Sequence, residues 1–97
     1  MALRFEWDPD KNAENQAKHR VSFEEAATVF SDDAARFMDD PDHSVGEDRY
    51  LLLGLSATAR ILVVSHCFRA NDDVIRIISA RRATRREQAQ YRGRRRT

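Results

Sequence analysis

The chain of 97 residues has little cysteine or glycine, and each shortage excludes a class of protein. Its single cysteine, Cys67, cannot form an internal disulfide, which suits a reducing cytoplasm. The three glycines, Gly46, Gly54 and Gly93, are too scattered to form a GxxxxGK[ST] phosphate loop or a GxGxxG dinucleotide motif. No apolar run approaches the ~20 residues of a membrane-spanning helix, and the N-terminus lacks the apolar region of a signal peptide. We therefore expect a cytoplasmic protein with no membrane association.

Residues that bind metals or form nucleophilic triads are few and poorly spaced. The potential metal ligands show neither HxxxH nor CxxC spacing; they are His19, His43, His66 and Cys67. His66 and Cys67 are adjacent in a predicted strand and therefore point to opposite faces. No serine lies in a GxSxG elbow. We expect neither a metal site nor a cofactor.

Acidic residues are almost missing from the last quarter of the chain. Residues 74–97 carry nine arginines and one acid, Glu87, for a local balance of +8. The other 73 residues carry eight bases and fifteen acids, a balance of −7, so the net charge of +1 conceals two oppositely charged parts. Such asymmetry favours a polyanionic partner for the basic end, although a solvated arginine-rich helix has the same composition.

Hydrophobic periodicity predicts one domain over residues 1–97, of the α+β class, with two helices before a small antiparallel sheet and one helix after it. The predicted strands are residues 3–7, 35–38, 49–56, 61–68 and 74–82. The predicted helices are residues 9–19, 22–30 and 84–91, with an acidic loop at 39–48 and a frayed basic tail at 92–97. Short connections between the last three strands favour an antiparallel meander.

Capping signals mark the predicted starts of the helices. Asp8 precedes a proline at the first helical position. Ser22 with Glu25, and Thr84 with Glu87, have the spacing of a capping box. This position explains the Glu87 carboxylate without a role as general base.

Arginine remains as the residue type suited to phosphate, because its planar fork fits two phosphate oxygens at once. Arg76 and Arg81 lie in an otherwise apolar predicted strand, where each needs solvent, an acid or a ligand. Strict alternation places Arg76 and Arg82 on one face and Arg81 on the other, unless a bulge intervenes. Pairing of Arg76 with Glu47 or Asp48 across the sheet is the structural alternative.

Three further features have both a functional and a structural interpretation. Arg49 opens the first strand of the meander, where cross-strand pairing is again the alternative. His66 has the usual chemistry of a proton-transfer group, but a lone histidine in a central strand is more often a satisfied core residue. Lys11, Asn15 and His19 share one helix face, where packing against the sheet edge is the alternative.

Residues along nearly the whole chain match one known pattern in order and spacing. They are Phe5-Glu6-Trp7-Asp8-Pro9, Lys11, Asn15, Lys18, His19, Val21-Ser22-Phe23-Glu24-Glu25-Ala26, Val29-Phe30, Gly46-Glu47, Arg49, Gly54, Arg60, Arg76-Ile77-Ile78-Ser79-Ala80-Arg81, Ala83, Glu87 and Tyr91. In these positions the chain resembles the BrnT family of bacterial type II toxins. It departs from the family pattern at Arg20 and Ala59, where glycine is common, and both departures alter turns.

The resemblance implies a RelE-like fold, in which small helices pack on a twisted antiparallel sheet. It also implies a metal-independent endoribonuclease that arrests translation. The implied partner is a BrnA antitoxin with a ribbon-helix-helix DNA-binding part, so that promoter DNA is bound only through the complex. Attack of the ribose 2′-hydroxyl on the adjacent phosphate requires positioned oxygens and a stabilised phosphorane.

For this reaction we predict Arg49 and Arg81 as the main catalytic residues, with Arg76 in support and His66 as the candidate acid or base. The predicted RNA-binding residues are Lys11, His19, Arg82, Arg85 and Tyr91. Tyr91 would either stack on a base or cover the sheet edge. Two other functions stay open at this point: a non-catalytic nucleic-acid-binding module, and a degenerate toxin that only binds its antitoxin.

Overall fold

The helices and strands are defined by a computed structural model that describes residues 3–38, 49–69 and 73–95. The strands are β1 (Arg4–Glu6), β2 (Arg36–Met38), β3 (Tyr50–Leu55), β4 (Ile61–Arg69) and β5 (Val74–Arg82). The helices are α1 (Pro9–His19), α2 (Phe23–Thr28) and α3 (Arg85–Arg95), and a short 3-10 turn, Val29–Ser31, follows α2. The α+β class is confirmed, whereas α3 continues beyond its predicted end at Tyr91. The predicted acidic loop at 39–48 lies outside the described residues. Within them, no helix is both long and apolar enough to span a bilayer.

The five strands form one mixed sheet in the order β1-β5-β4-β3-β2. Strands β3 to β5 form the predicted antiparallel meander, and β2 extends it by antiparallel pairing with β3. β1, however, pairs in parallel with β5, so that Glu6 lies opposite Arg76. The prediction of a purely antiparallel sheet was therefore wrong. The apolar alternation of β1 marks it as a strand, but its partner and direction depend on contacts with residues some 70 positions later.

Each face of the sheet is covered by a packed layer. On the first face, α1, α2 and the turn after them enclose the larger core, which is Val21, Phe23, Ala26, Val29, Leu52, Leu62, Val64, Ile75, Ile77 and Ala80. On the second face, Tyr91 of α3 and Ala83 pack on Leu53 and Val63. We call this second face the α3 face. Arg76 lies on the α3 face as well, but toward the opposite strand ends, where Cys67 is its cross-strand partner.

A β-bulge interrupts the alternation of β5. Ser65 of β4 pairs with Ser79, but the next residue of β4, His66, pairs with Ile77. Ile78 is therefore an extra residue in β5 with no partner in the β4 ladder. Every residue of β5 after Ile78 consequently points to the face opposite to the one that strict alternation predicts.

The bulge determines where the arginines of β5 lie. Beyond it, Ala80 is buried in the larger core, and Arg81 pairs with Val63 on the α3 face. Arg81 thus shares a face with Arg76, and the prediction from strict alternation was wrong. Asn15 of α1 holds the bulged strand, because its side-chain amide donates to the Ala80 carbonyl at 2.8 Å and accepts from the Ala80 N–H at 3.2 Å.

Two turns contain non-glycine residues in the left-handed region. Among the described residues, Arg20 has a φ of 59° and Ala59 a φ of 65°. Arg20 caps α1, and its N–H donates to the Gln16 carbonyl at 2.9 Å. Glycine is common at these same two positions in the family pattern that the chain resembles. Arg20 and Ala59 therefore each place a Cβ in a backbone conformation that favours glycine.

A polar network joins α2 to the turn between β3 and β4. Ser22 caps α2 as predicted, since its hydroxyl accepts from the Glu25 N–H at 3.0 Å. The Glu25 carboxylate does not form the reciprocal hydrogen bond to Ser22 that a capping box requires. It accepts instead from Nε of Arg60 at 2.9 Å and from the hydroxyl groups of Ser56 and Thr58. The hydrogen bond from Arg60 is the main reason that the pKa of Glu25 falls to about 2.

Candidate active site

A cationic cleft with a volume of about 260 Å³ lies beside the ends of β3, β4 and β5. Its lining is Lys11, Arg49, Cys67, Arg69, Arg76, Ile77 and Ile78. Arg49 directly precedes β3, Arg69 ends β4 and Arg76 lies in β5, while Lys11 comes from the first turn of α1. The sheet and the first helix thus bring together cations from three separate regions of the sequence: Lys11, Arg49, and Arg69 with Arg76. Arginine and lysine donors converging on one cleft are suited to bind a phosphate.

The carboxylate of Glu6 contacts two of the cleft arginines. Its Oε2 lies 2.9 Å from Nη1 of Arg76 and 3.4 Å from Nε of Arg69. The parallel pairing of β1 with β5 places Glu6 opposite Arg76 and so explains the contact. Glu47 and Asp48 were the predicted acidic partners of Arg76, and both lie outside the described residues. The contact with Glu6 was not predicted, because it depends on a parallel strand pairing that was not predicted either.

Arg81 lies on the same face as Arg76 but is held by α3. Its Nη1 and Nη2 donate to the two carboxylate oxygens of Glu87 at 2.8 and 3.0 Å. Glu87 also completes the predicted capping box, accepting from the Thr84 N–H at 2.8 Å while its own N–H donates to the Thr84 hydroxyl at 3.1 Å. Hydrogen bonding to Arg81 is the main reason that the pKa of Glu87 falls to about 2, and the same bond raises the pKa of Arg81. Arg81 therefore fastens α3 to the sheet and is not among the residues that line the cleft.

His66 lies on the other face of the sheet and is fully buried. Four aromatic rings have their centroids 4.8 to 6.0 Å from the imidazole; they are Phe30, Phe37, Tyr50 and Phe68. Nδ1 lies 3.2 Å from the Val64 carbonyl, and within the described part of the chain Nε2 has no hydrogen-bond partner. Burial lowers the pKa of His66 and so favours the neutral form of the ring. His66 is not among the residues that line the cleft, and its burial among aromatic rings favours its interpretation as a core residue.

The three residues predicted to share one face of α1 lie in different surroundings. Lys11 reaches the cleft. Asn15 is buried and donates a hydrogen bond to the β5 backbone at Ala80. This agrees with the alternative interpretation, in which this helix face packs against the sheet. His19 is half-buried at the end of α1 and is not part of the cleft lining.

The remaining predicted RNA-binding residues lie elsewhere. Arg82 is exposed and lines a separate groove that includes Arg60. Arg85 is exposed at the first residue of α3. Tyr91 is buried, and its hydroxyl donates to Oδ2 of Asp32 at 2.7 Å. Tyr91 therefore covers the sheet, and its ring is not presented for stacking on a base.

Comparisons with known proteins agree on one family. A family model described as "Ribonuclease toxin, BrnT, of type II toxin-antitoxin system" matches residues 7–87, a range that includes Lys11, Arg49 and Arg76. Among solved structures, the chain is similar to the crystal structure of the Brucella abortus ribonuclease toxin BrnT. The two are 21% identical with a TM-score of 0.65, over 87% of this chain and 100% of that one, a likeness that concerns the fold. No curated protein sequence matched the chain.

Proposed function

The chain belongs to the BrnT family of ribonuclease toxins from type II toxin–antitoxin systems, and from this premise we propose that it is a metal-independent endoribonuclease. The cationic cleft would be its active site. The observation that carries the proposal is the convergence of Lys11, Arg49 and Arg76, from three separate parts of the chain, on one cleft. Arg81, bound by both oxygens of Glu87, would mainly hold α3 in place.

The proposed reaction is in-line attack within the RNA chain. The ribose 2′-oxygen forms a bond to the adjacent phosphorus while the bond from phosphorus to the 5′-oxygen breaks, giving a 2′,3′-cyclic phosphate and a 5′-hydroxyl. The guanidinium groups of Arg49 and Arg76 would stabilise the charge that develops on the non-bridging oxygens. The Lys11 ammonium would add a compact charge at the edge of the cleft.

Family membership implies an RNA substrate and an antitoxin partner. The antitoxin would be a BrnA-like ribbon-helix-helix protein, which would inhibit the toxin by covering the cleft with acidic side chains. Promoter DNA would be contacted only through that complex, and RNA cleavage in the cytoplasm would arrest translation. The RelE-like arrangement of the fold belongs to the same proposal.

An RNA digestion assay tests this function. We expect the purified parent protein to cut RNA at the same rate with and without EDTA. We expect Arg49→Ala to cut at least about a hundredfold more slowly, as is typical when a group that stabilises transition-state charge is removed. Arg86→Ala is the matched control, because Arg86 is an exposed arginine of α3 outside the cleft.

Two results would contradict the proposal. Loss of cleavage in EDTA would show that the reaction needs a metal. RNA that is bound but never cut by the parent protein would favour the alternative function, a non-catalytic nucleic-acid-binding module.

A further inference from the structure

We propose that Glu6 is the general base of the reaction, the group that removes the proton from the attacking 2′-hydroxyl. This assignment rests on the ribonuclease activity proposed above. It concerns a residue that precedes the range matched by the family model.

The Glu6 carboxylate contacts two arginines that line the cleft, although Glu6 itself is not among the lining residues, and one of its oxygens is available. Both of its ion-pair contacts, to Arg69 and Arg76, are made by Oε2. Among the described residues Oε1 has no ion-pair partner, and the side chain is 41% exposed. A substrate phosphate bound by Arg76 would bring its neighbouring ribose to this carboxylate. A general base must lie within hydrogen-bond reach of the proton that it takes, and Oε1 of Glu6 would have to meet that condition when Arg76 holds the phosphate.

Stability alone does not account for a negative charge at this place. The ion pairs of Glu6 are partly exposed, with Arg76 35% and Arg69 58% accessible, and pairs of this kind contribute little to folding. A carboxylate also repels the phosphate that the surrounding cations would attract. A role in proton transfer explains why an acid stands among cations that bind an anion.

Other titratable groups are less suited to the role. His66 is buried on the opposite face of the sheet. Glu87 has both carboxylate oxygens engaged by Arg81. Lys11 is a cation whose protonated ammonium has no lone pair to accept a proton.

The step balances with solvent water as the only further participant. The 2′-hydroxyl proton moves to Oε1 of Glu6 as the 2′-oxygen bonds to phosphorus. The bond to the 5′-oxygen breaks, and that oxygen takes a proton from water. The hydroxide formed then takes the proton from Glu6, which restores the carboxylate.

The test separates proton transfer from binding. Glu6→Gln keeps the shape of the side chain but cannot act as the base. We measure single-turnover cleavage of a single-stranded RNA, and binding of the same RNA with a 2′-O-methyl group at the cut site. We expect cleavage to fall by about 10²- to 10⁴-fold, the usual contribution of general base catalysis. Binding should stay equal or become tighter, since a negative charge is removed. Glu14→Gln, a change at an exposed position of α1, should match the parent in both measurements.

Several outcomes overturn the assignment. If Glu6→Gln cuts RNA at the parent rate or faster, Glu6 is only a counter-ion. If cleavage and binding fall together, Glu6 only positions Arg69 and Arg76. Glu6→Ala with added formate gives a second readout: a small carboxylate that restores cleavage supports the role, and failure to restore it argues against the role. A parent protein that does not cut RNA would overturn the proposed function itself, whereas equal cutting by parent and Glu6→Gln would overturn only this assignment.

Discussion

Two residues adopt strained backbone conformations that other interactions in the fold offset. Arg20 and Ala59 adopt left-handed backbone angles, which cost an L-residue with a Cβ roughly 1–2 kcal/mol each. The strain at Arg20 is offset by two hydrogen bonds. Its N–H donates to the Gln16 carbonyl, and its carbonyl accepts from Nη2 of Arg60 at 3.0 Å. Ala59 lies in the turn between β3 and β4, where its N–H donates to the Ser56 carbonyl at 2.9 Å.

We predict that Ala59→Gly raises the free energy of unfolding by about 0.5–1 kcal/mol, the relief of strain less the greater entropy of glycine in the unfolded chain. Urea denaturation measures this change. Ala57→Gly is the matched control, because Ala57 is an exposed residue of the same turn and has no positive φ. A loss of stability in Ala59→Gly, or an equal gain in Ala57→Gly, would refute the explanation by strain.

Residue chemistry alone predicted only part of the candidate site. The sequence singled out Arg49, Arg76 and Lys11, because cations in strands and on a helix face require an explanation, and these three line the cleft. Glu6 was part of the matched pattern Phe5-Glu6-Trp7-Asp8-Pro9 but was given no role at the site, since an acid in a short alternating strand is ordinary until its partner is known. Whether a strand histidine is core or catalytic depends on which face carries the cleft. For His66, sequence periodicity left that choice open.

Elements were predicted better than their arrangement. The bounds of β5 agree with the prediction from Val74 to Arg82, because its apolar run is bounded by turn residues. The bulge at Ile78 and the parallel pairing of β1 were not predicted, because apolar patterns identify a strand without identifying its partner or register. The capping box of α3 was predicted, but its additional ion pair with Arg81 depends on the bulge.

For α3 we predict that Glu87→Gln weakens the attachment of the helix to the sheet. The pKa of Glu87 is held at about 2, below its usual value of 4.5. A carboxylate whose pKa is lowered by folding stabilises the folded protein at pH values above its usual pKa of 4.5. That stabilisation is lost as the pH falls toward about 2. Arg81 is 40% exposed, so solvent screening limits the effect to about 1 kcal/mol.

The measurements are the free energy of unfolding and the hydrogen exchange of α3. We expect Glu87→Gln to be less stable than the parent near neutral pH, with faster exchange in α3, and the difference to shrink as the pH drops below 4.5. Glu14→Gln serves as the control at an exposed position. A difference that is independent of pH would show that the charge of Glu87 does not hold α3.

The charge of the whole molecule is a poor guide to the position of its cleft. The sequence concentrates nine arginines in residues 74–97, yet Arg76 is the one residue of that segment among the four cations of the cleft lining. The other cations come from α1, from the start of β3 and from the end of β4. The fold, and not the local density of arginine, therefore brings together the cations of the proposed phosphate site.

A double-mutant cycle on Arg49 and Arg76 tests the central claim most directly. We measure single-turnover RNA cleavage in EDTA by the parent, Arg49→Ala, Arg76→Ala and the double variant. If both arginines hold the same phosphate, each single change costs about a hundredfold or more, and the double change costs far less than the product of the two. Parent-like rates in the single variants, or losses that multiply fully, would contradict the account that this cleft holds the phosphate at which RNA is cut.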